Sequence, residues 1–172
     1  MARNVEIKAR VADLDALRVR VEALSDGPAE VLEQRDVFFH VPKGRLKLRC
    51  FPDGRAELIS YARSDATGPA LSDYHIYRTG NPAGLESFLC DAFGLRGVVT
   101  KRRLLYLIGQ TRVHLDEVEG LGSYMELEVV LEDKQTLEEG AQIADRVLED
   151  LEMSEAERVA CAYIDLLEAS DG

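Results

Sequence analysis

The 172-residue chain lacks the features that mark membrane, secreted and zinc-binding proteins. No apolar run approaches the length of a membrane span, and the N-terminal residues contain no apolar signal core. The three cysteines, Cys50, Cys90 and Cys161, are isolated and odd in number, so they predict neither a disulfide framework nor a zinc site. These absences favour reduced thiols in an intracellular protein, with the cytoplasm as the expected compartment.

Positive charge is also scarce, because 32 acidic residues outnumber 21 basic ones and give a formal net charge of -11. This balance argues against nucleic acids and anionic membranes as partners. It does not say where the cations lie, so a local basic pocket stays open. The length and the hydrophobic fraction of 46% fit one domain over residues 1–172 that is large enough to bury a core.

Turn residues divide the chain into short segments of alternating polarity. Pro42-Lys43-Gly44, Asp53-Gly54 and Gly109-Gln110 each separate two such segments, as hairpin turns do. Strands are predicted over residues 4–10, 34–41, 45–50, 56–63, 72–79, 98–108, 111–118 and 123–131.

Apolar residues at helical spacing predict four helices, over residues 13–24, 82–93, 136–151 and 154–168. Ser154 stands at the expected N-cap of the last helix, with Glu157 at capping-box spacing. Eight strands joined mostly by short turns favour a closed sheet. The predicted fold class is therefore α+β, an eight-stranded antiparallel β-barrel with surrounding helices.

The unusual feature is the charge on one face of the strands. The first strand alternates between an apolar face and a face with Asn4, Glu6, Lys8 and Arg10. Later strands repeat this mixture. Cations occur in the pattern at Lys8, Arg10, Lys47, Arg49, Arg63, Lys101, Arg103 and Arg112. Carboxylates occur in it at Glu6, Asp116, Glu126 and Glu128.

For any one strand, a solvated outer face explains such alternation. Several strands together favour a barrel whose charged faces point inward. Unpaired buried charges are too costly for a dry interior, so the interior must hold water, metal ions and a polyanion. Arginine and lysine suit phosphate oxygens, whereas clustered carboxylates suit Mg²⁺ or Mn²⁺. The pattern therefore predicts a metal-assisted polyphosphate site inside the barrel.

These motifs, in this order, resemble the CYTH superfamily of triphosphate tunnel metalloenzymes, which includes class IV adenylate cyclases and thiamine triphosphatases. The first strand is similar to the Glu-x-Glu-x-Lys signature of that family. The segment Leu46-Lys47-Leu48-Arg49 resembles its strand of paired cations. Residues 112–118, 120–122 and 126–128 are similar to the second half of the family pattern, and residues 162–167 resemble the usual ending of the family.

The resemblance implies a role for each inward-facing charge. Metal ligands would be Glu6, Asp116, Glu126 and Glu128. Phosphate would be bound by Lys8, Arg10, Lys47, Arg49, Arg63, Lys101, Arg103 and Arg112. Catalysis would rest on Glu6, Lys8, Arg49 and Arg112. The implied partner is ATP, thiamine triphosphate or tripolyphosphate, with a homodimer as the implied assembly.

Two residues depart from the family pattern. Asn4 stands where the signature has its first Glu, and Ile59 stands where some members have a lysine. Asn4 keeps an oxygen donor without the charge, which predicts weaker metal binding. Three functions stay open: hydrolysis of a triphosphate, which needs the fewest dedicated residues, adenylate cyclisation, and binding without catalysis.

Four further side chains allow two interpretations each. His114 is either a general base or a hydrogen-bonded residue of the interior. Tyr61 and Tyr77 could stack on a substrate ring, although packing is the simpler interpretation. Arg158 could reach a tunnel mouth, although a solvated helix face is the simpler expectation.

Overall fold

The structure is a computed structural model that describes residues 2–63, 69–154 and 157–171, with only the backbone described at Ala2 and Arg63. These residues form eight strands and four helices. The strands are β1 (Ala2–Arg10), β2 (Glu30–Phe39), β3 (Arg45–Cys50), β4 (Ala56–Arg63), β5 (Ala70–Thr79), β6 (Leu95–Ile108), β7 (Thr111–Val118) and β8 (Gly122–Val130). The helices are α1 (Leu14–Leu24), α2 (Pro82–Phe93), α3 (Leu137–Asp150) and α4 (Tyr163–Ser170).

The eight strands close into an antiparallel barrel in the order β1-β5-β4-β3-β2-β6-β7-β8. Closure comes from β1 pairing with β8, in a register that runs from Asn4 opposite Val130 to Arg10 opposite Tyr124. The predicted α+β barrel with surrounding helices is therefore confirmed. No helix among the described residues is both long enough and apolar enough to span a membrane.

The main apolar core lies between the barrel wall and the helices, not inside the barrel. The outward side chains Val5 and Ile7 of β1 pack in one cluster with Leu17 of α1 and Leu148 of α3. A second cluster joins the outer face of β2 and β3 to Leu89 of α2. Because burial of apolar surface occurs outside the barrel, its interior can carry polar groups.

Local capping residues set the ends of two helices. Thr136 and Glu139 form a reciprocal capping box at the start of α3. Gly94 ends α2 with φ of 82°, a left-handed conformation that suits glycine, and its N–H donates to the Cys90 carbonyl at 2.9 Å. Both ends agree with the sequence prediction.

The helix α4 closes one end of the barrel. Tyr163 and Ile164 pack against the inward side chains Phe38, Val99 and Tyr124, and the rings of Tyr124 and Tyr163 meet edge to face at 5.2 Å between centroids. The helix is anchored by a shared carboxylate. Asp165 accepts from the guanidinium groups of Arg45 at 2.8 Å and Arg96 at 2.6 Å.

The prediction of a last helix over residues 154–168 is wrong at its start, because α4 begins only at Tyr163. The residues before it extend along β1: the Val159 N–H donates to the Lys8 carbonyl at 2.8 Å, and Arg158 forms a bridge with Ala9. Arg158 therefore lies on no helix. Pairing with an otherwise unpaired strand end has outweighed the local helical preference.

Candidate active site in the barrel interior

A cavity of about 670 Å³ occupies the barrel, and alternate residues of its strands line it. Its charges come from different parts of the barrel wall. In strand order, β2 lies between β3 and β6, which contribute a cationic wall, whereas β8 and β1 are neighbours and contribute the carboxylates Glu6, Glu126 and Glu128. The cationic wall contains Arg45, Lys47, Arg49, Lys101 and Arg103. The charged faces therefore point inward.

One buried carboxylate holds three of these cations. Asp36 of β2 is 1% exposed and accepts from both Nε and Nη2 of Arg49 at 2.8 Å. Its Oδ2 atom also accepts from Lys47 at 3.1 Å and from Lys101 at 3.2 Å. Burial raises the pKa of Asp36, but the three cations hold that pKa well below its usual range. Asp36 is therefore an anion, and it is already surrounded by three cations of the kind that bind phosphate.

Sequence reasoning missed Asp36, although a signal was present. In the predicted second strand, Asp36 alternates with Val37 and Phe39, which are outward and buried against α2. The antiparallel register places Asp36 opposite Arg49. Strand alternation extended through the turn at Pro42-Lys43-Gly44 would have placed these two residues on the same inner face.

Lys101 is the cation of the site whose pKa lies near neutrality. It is 5% exposed, and burial together with the neighbouring cations lowers its pKa to about 7, although Asp36 acts in the opposite direction. A new anion beside Lys101 would restore its charge. The group is thus poised to take up a proton when a polyanion binds near it.

Two carboxylates and a histidine form a second group on β7 and β8. His114, Glu126 and Glu128 each offer one ligand atom, and these atoms lie within 4.8 Å of one another. Lys8 Nζ lies 3.4 Å from Glu126, and Arg112 Nε lies 3.1 Å from Glu128. Burial raises the pKa of Glu126, but Lys8 in first place, then His114 and then Arg103, hold that pKa well below its usual range. Both carboxylates of this group are therefore ion-paired, and the group has the donor types of a metal site.

Asp116 lies beside that group and has partners of its own, one of which, Arg103, is also 3.7 Å from Glu126. Arg103 donates to both carboxylate oxygens of Asp116 at 2.7 Å, and the Tyr163 hydroxyl donates to Oδ2 at 2.7 Å. Burial raises the pKa of Asp116, yet Arg103 overcomes this and lowers it to about 2. Within the described ranges Asp116 does not line the cavity. A metal-binding role for Asp116 stays a prediction. In the structure, Asp116 binds Arg103 and the first residue of α4, Tyr163.

The inward residues of β1 lie on the cavity wall as the alternation predicts. Glu6 and Lys8 line the cavity, and Lys8 Nζ lies 4.0 Å from the centre of the Tyr163 ring. Asn4 is 2% exposed, and in its hydrogen-bonding orientation the amide oxygen accepts from Arg112 at 3.3 Å. Asn4, which stands where the family signature has its first Glu, therefore binds a cation in this structure.

The remaining predicted residues divide by location. Ile59 and Tyr61 line the cavity, whereas Tyr77 is 67% exposed on the outer face of β5. Arg10 is exposed, with its guanidinium 5.3 Å from the ring centre of Tyr124, and lies outside the cavity lining of the described chain. The predicted phosphate contact of Arg63 concerns a side chain that lies outside the described residues.

Comparison of the sequence with known proteins identifies its family. The family model of the CYTH domain matches residues 2–163. A curated relative, adenylate cyclase CyaB of Aeromonas hydrophila, is 26% identical over an alignment of 195 positions, gaps included, which covers 97% of this chain and 90% of that protein.

Solved structures share the barrel. A protein of Pyrococcus horikoshii OT3, PH1012, has a TM-score of 0.84 at 26% identity, with 95% of this chain and 98% of that chain covered. A Hippeastrum protein, presented as a putative adenylyl cyclase with a dominant triphosphatase activity, has a TM-score of 0.70 over 99% of this chain and 96% of that one. At 14% identity it shows the fold alone. By its barrel, its inward charges and the match over residues 2–163, this chain belongs to the CYTH domain family.

Proposed function

We propose that this protein binds a triphosphate inside the barrel and hydrolyses it with the help of Mg²⁺ or Mn²⁺. The observation that carries the proposal is one cavity with a cationic wall, held by Asp36, beside a group of ion-paired carboxylates. Phosphate oxygens suit the first wall and a divalent cation suits the second. Membership of the CYTH family supports the same class of substrate.

The chain's own residues have distinct tasks in this proposal. Lys47, Arg49 and Lys101 exchange their contacts with Asp36 for phosphate oxygens, and so bind and orient the substrate. Arg103 and Arg112 stabilise negative charge that develops as the phosphoanhydride breaks. These groups act inside the barrel, where charged hydrogen bonds are stronger than in bulk water.

The residues of the carboxylate group fit a divalent cation. Glu126 and Glu128 would hold it, with Glu6 on the neighbouring strand as a further carboxylate of the same cavity. When bound, such an ion neutralises phosphate charge and activates a water molecule. In the structure, Lys8 pairs with Glu126 and Arg112 pairs with Glu128. A triphosphate that attracts these cations would therefore favour metal binding.

A substrate panel tests the function. The pure protein is incubated with Mg²⁺ or Mn²⁺ and with ATP, thiamine triphosphate or tripolyphosphate, each with an EDTA control. Metal-dependent release of orthophosphate is the expected result. Tight binding of all three without any product would support a non-catalytic binder, whose basis would be Asn4 and Ile59. No binding of any of them would overturn the proposal.

Adenylate cyclisation is the second candidate, because a relative over 97% of the chain is named an adenylate cyclase. It requires the same phosphate contacts and a pocket for the adenine base. In the same panel, cyclic AMP and pyrophosphate from ATP, without orthophosphate from tripolyphosphate, would favour cyclisation over hydrolysis.

Proton uptake on binding is the first specific prediction. At pH 8, Lys101 with its pKa of about 7 is largely neutral, and a bound polyphosphate raises that pKa again. Affinity should therefore decline as the pH rises through 7. Without ligand, the folded state should become more stable as the pH rises from 7 to the usual lysine pKa of 10.5. In this range Lys101 is protonated in the unfolded state and largely neutral in the folded state.

Calorimetry of tripolyphosphate binding at pH 8, in two buffers of different ionisation enthalpy, measures this uptake. The Lys101→Arg variant is the matched control, since its guanidinium stays charged throughout. On binding, the wild type should take up more protons than the variant, by as much as about one proton per protein molecule. Equal uptake by two folded proteins would contradict the prediction.

A further inference from the structure

His114 contributes a buried polar atom whose role the site described so far does not explain. The residue is 4% exposed, and its Nδ1 atom is buried without a hydrogen-bond partner in the described part of the chain. A buried polar atom without a partner costs roughly 1–3 kcal/mol. Such an atom in a native structure requires an explanation, and a bound ion, a bound water molecule, a catalytic role and local strain are the usual ones.

The position of this nitrogen identifies the kind of ligand. Nδ1 of His114 lies 3.6 Å from an oxygen of Glu126 and 3.9 Å from an oxygen of Glu128. His114 stands directly opposite Glu126 in the register of β7 and β8, and Glu128 follows on the same face. One imidazole nitrogen and two carboxylate oxygens therefore converge on one point from two paired strands.

The separations suit a small divalent ion. With bonds of about 2.1 Å, two ligand atoms of an octahedral ion are about 3.0 Å apart when adjacent and about 4.2 Å apart when opposite. The measured nitrogen–oxygen distances of 3.6 and 3.9 Å lie between these two values, so each pair could reach one of them by a shift of a few tenths of an ångström. An ion placed among the three atoms would need only small movements of the side chains.

We propose that His114 is a direct ligand, through Nδ1, of a divalent metal ion that it shares with Glu126 and Glu128. The inference deepens the proposed function, on which it rests for the role of the metal. It names a mixed nitrogen and oxygen donor set, whereas Mg²⁺ prefers oxygen alone. Imidazole favours the transition metals, so the site selects Mn²⁺ or a later first-row ion over Mg²⁺.

Asn4 supports the same preference for a transition metal over Mg²⁺. Its amide replaces a carboxylate of the family signature and is engaged with Arg112. The site thus has less negative charge with which to attract a hard cation such as Mg²⁺. A neutral imidazole adds a strong donor without adding charge, which suits a metal that forms more covalent bonds to nitrogen.

Pulsed EPR of the Mn²⁺-loaded protein tests the ligand directly, with and without tripolyphosphate. The chain contains three histidines, of which His40 and His75 are exposed, so an imidazole ¹⁴N coupling can be assigned by substitution. The wild type and the His40→Gln, His75→Gln double variant should both show the coupling. His114→Gln should lose it while keeping the circular dichroism spectrum and the bound Mn²⁺ at saturating concentration.

A titration of the same proteins gives the selectivity. His114→Gln should weaken Mn²⁺ binding by roughly tenfold or more, and should change Mg²⁺ binding much less. A Mn²⁺-loaded wild type without the coupling, or a coupling that persists in His114→Gln, would overturn the inference.

Orthophosphate release from tripolyphosphate, measured on the same samples, separates the two proposals. Release without the nitrogen coupling would leave the proposed hydrolysis in place and reject His114 as a ligand. The coupling without release would support the ligand and reject the hydrolysis. Absence of bound Mn²⁺ in the wild type at millimolar concentration, with or without tripolyphosphate, would overturn the inference of a metal site.

Discussion

Replacing Glu126 and Glu128 together by glutamine should abolish metal-dependent phosphate release from the best substrate of the panel. The two carboxylates supply the oxygen donors of the candidate metal group, and glutamine keeps their size while removing both charges. Loss of the metal removes charge neutralisation and water activation together, so turnover should fall by roughly a thousandfold or more.

The same variant should still bind tripolyphosphate in EDTA. The substitutions release Lys8 and Arg112 from their carboxylate partners, so the cavity becomes more positive. Metal-free tripolyphosphate binding, measured by calorimetry, should therefore be at least as tight as in the wild type. Retained binding with lost turnover would separate a catalytic defect from a folding defect.

Glu117→Gln with Glu119→Gln is the matched control. These two residues also lie two positions apart, but they are exposed near the end of β7 and outside the cavity. The control variant should keep wild-type turnover. Turnover that survives in the Glu126, Glu128 variant would show that these carboxylates do not hold a required metal.

Strand alternation predicted much of the barrel because its turns are strongly marked. The bounds of β3, β4, β7 and α2 agree with the sequence prediction. The strand β2 begins earlier than predicted, at Glu30, because its first residues pair with Leu105 to Arg102 of β6. In this segment the two apolar residues, Val31 and Leu32, are adjacent and do not alternate with polar ones, so the sequence shows no strand period there.

The pairing of the charges could not be read from the sequence. Alternation shows that Asp116 and Glu126 share the inner face, but not that Arg103 occupies both oxygens of Asp116. That contact depends on the β6–β7 register and is accompanied by a bond from Tyr163, the first residue of α4. The link from Asp36 to Lys101 likewise spans 65 positions along the chain.

Asp36→Asn should have the largest effect on the stability of the ligand-free protein. Asp36 is the buried partner of Lys47, Arg49 and Lys101, and asparagine leaves these cations without their neutralising charge. Removing one partner of a buried ion pair costs about 3–5 kcal/mol, which corresponds to a melting temperature lower by about 10 °C in a protein of this size. Thermal unfolding monitored by circular dichroism measures the change.

Tripolyphosphate should reverse much of this loss, because in the wild type Asp36 competes with phosphate for the same three cations. A ligand at about one hundred times its Kd adds about 2.7 kcal/mol, and the variant should bind more tightly than the wild type. The increase in Tm on adding metal-free tripolyphosphate should therefore be larger in Asp36→Asn. Turnover should nevertheless fall, since Asp36 no longer positions the cations before the substrate arrives.

Asp145→Asn serves as the reference for an exposed ion pair. Asp145 lies 3.4 Å from Arg158 with its side chain 51% exposed, and such pairs contribute about 0–1 kcal/mol. Its Tm and its response to tripolyphosphate should match those of the wild type. An Asp36→Asn protein with an unchanged Tm, or with a smaller response to tripolyphosphate than the wild type, would show that Asp36 neither neutralises the cationic wall nor competes with the substrate for it.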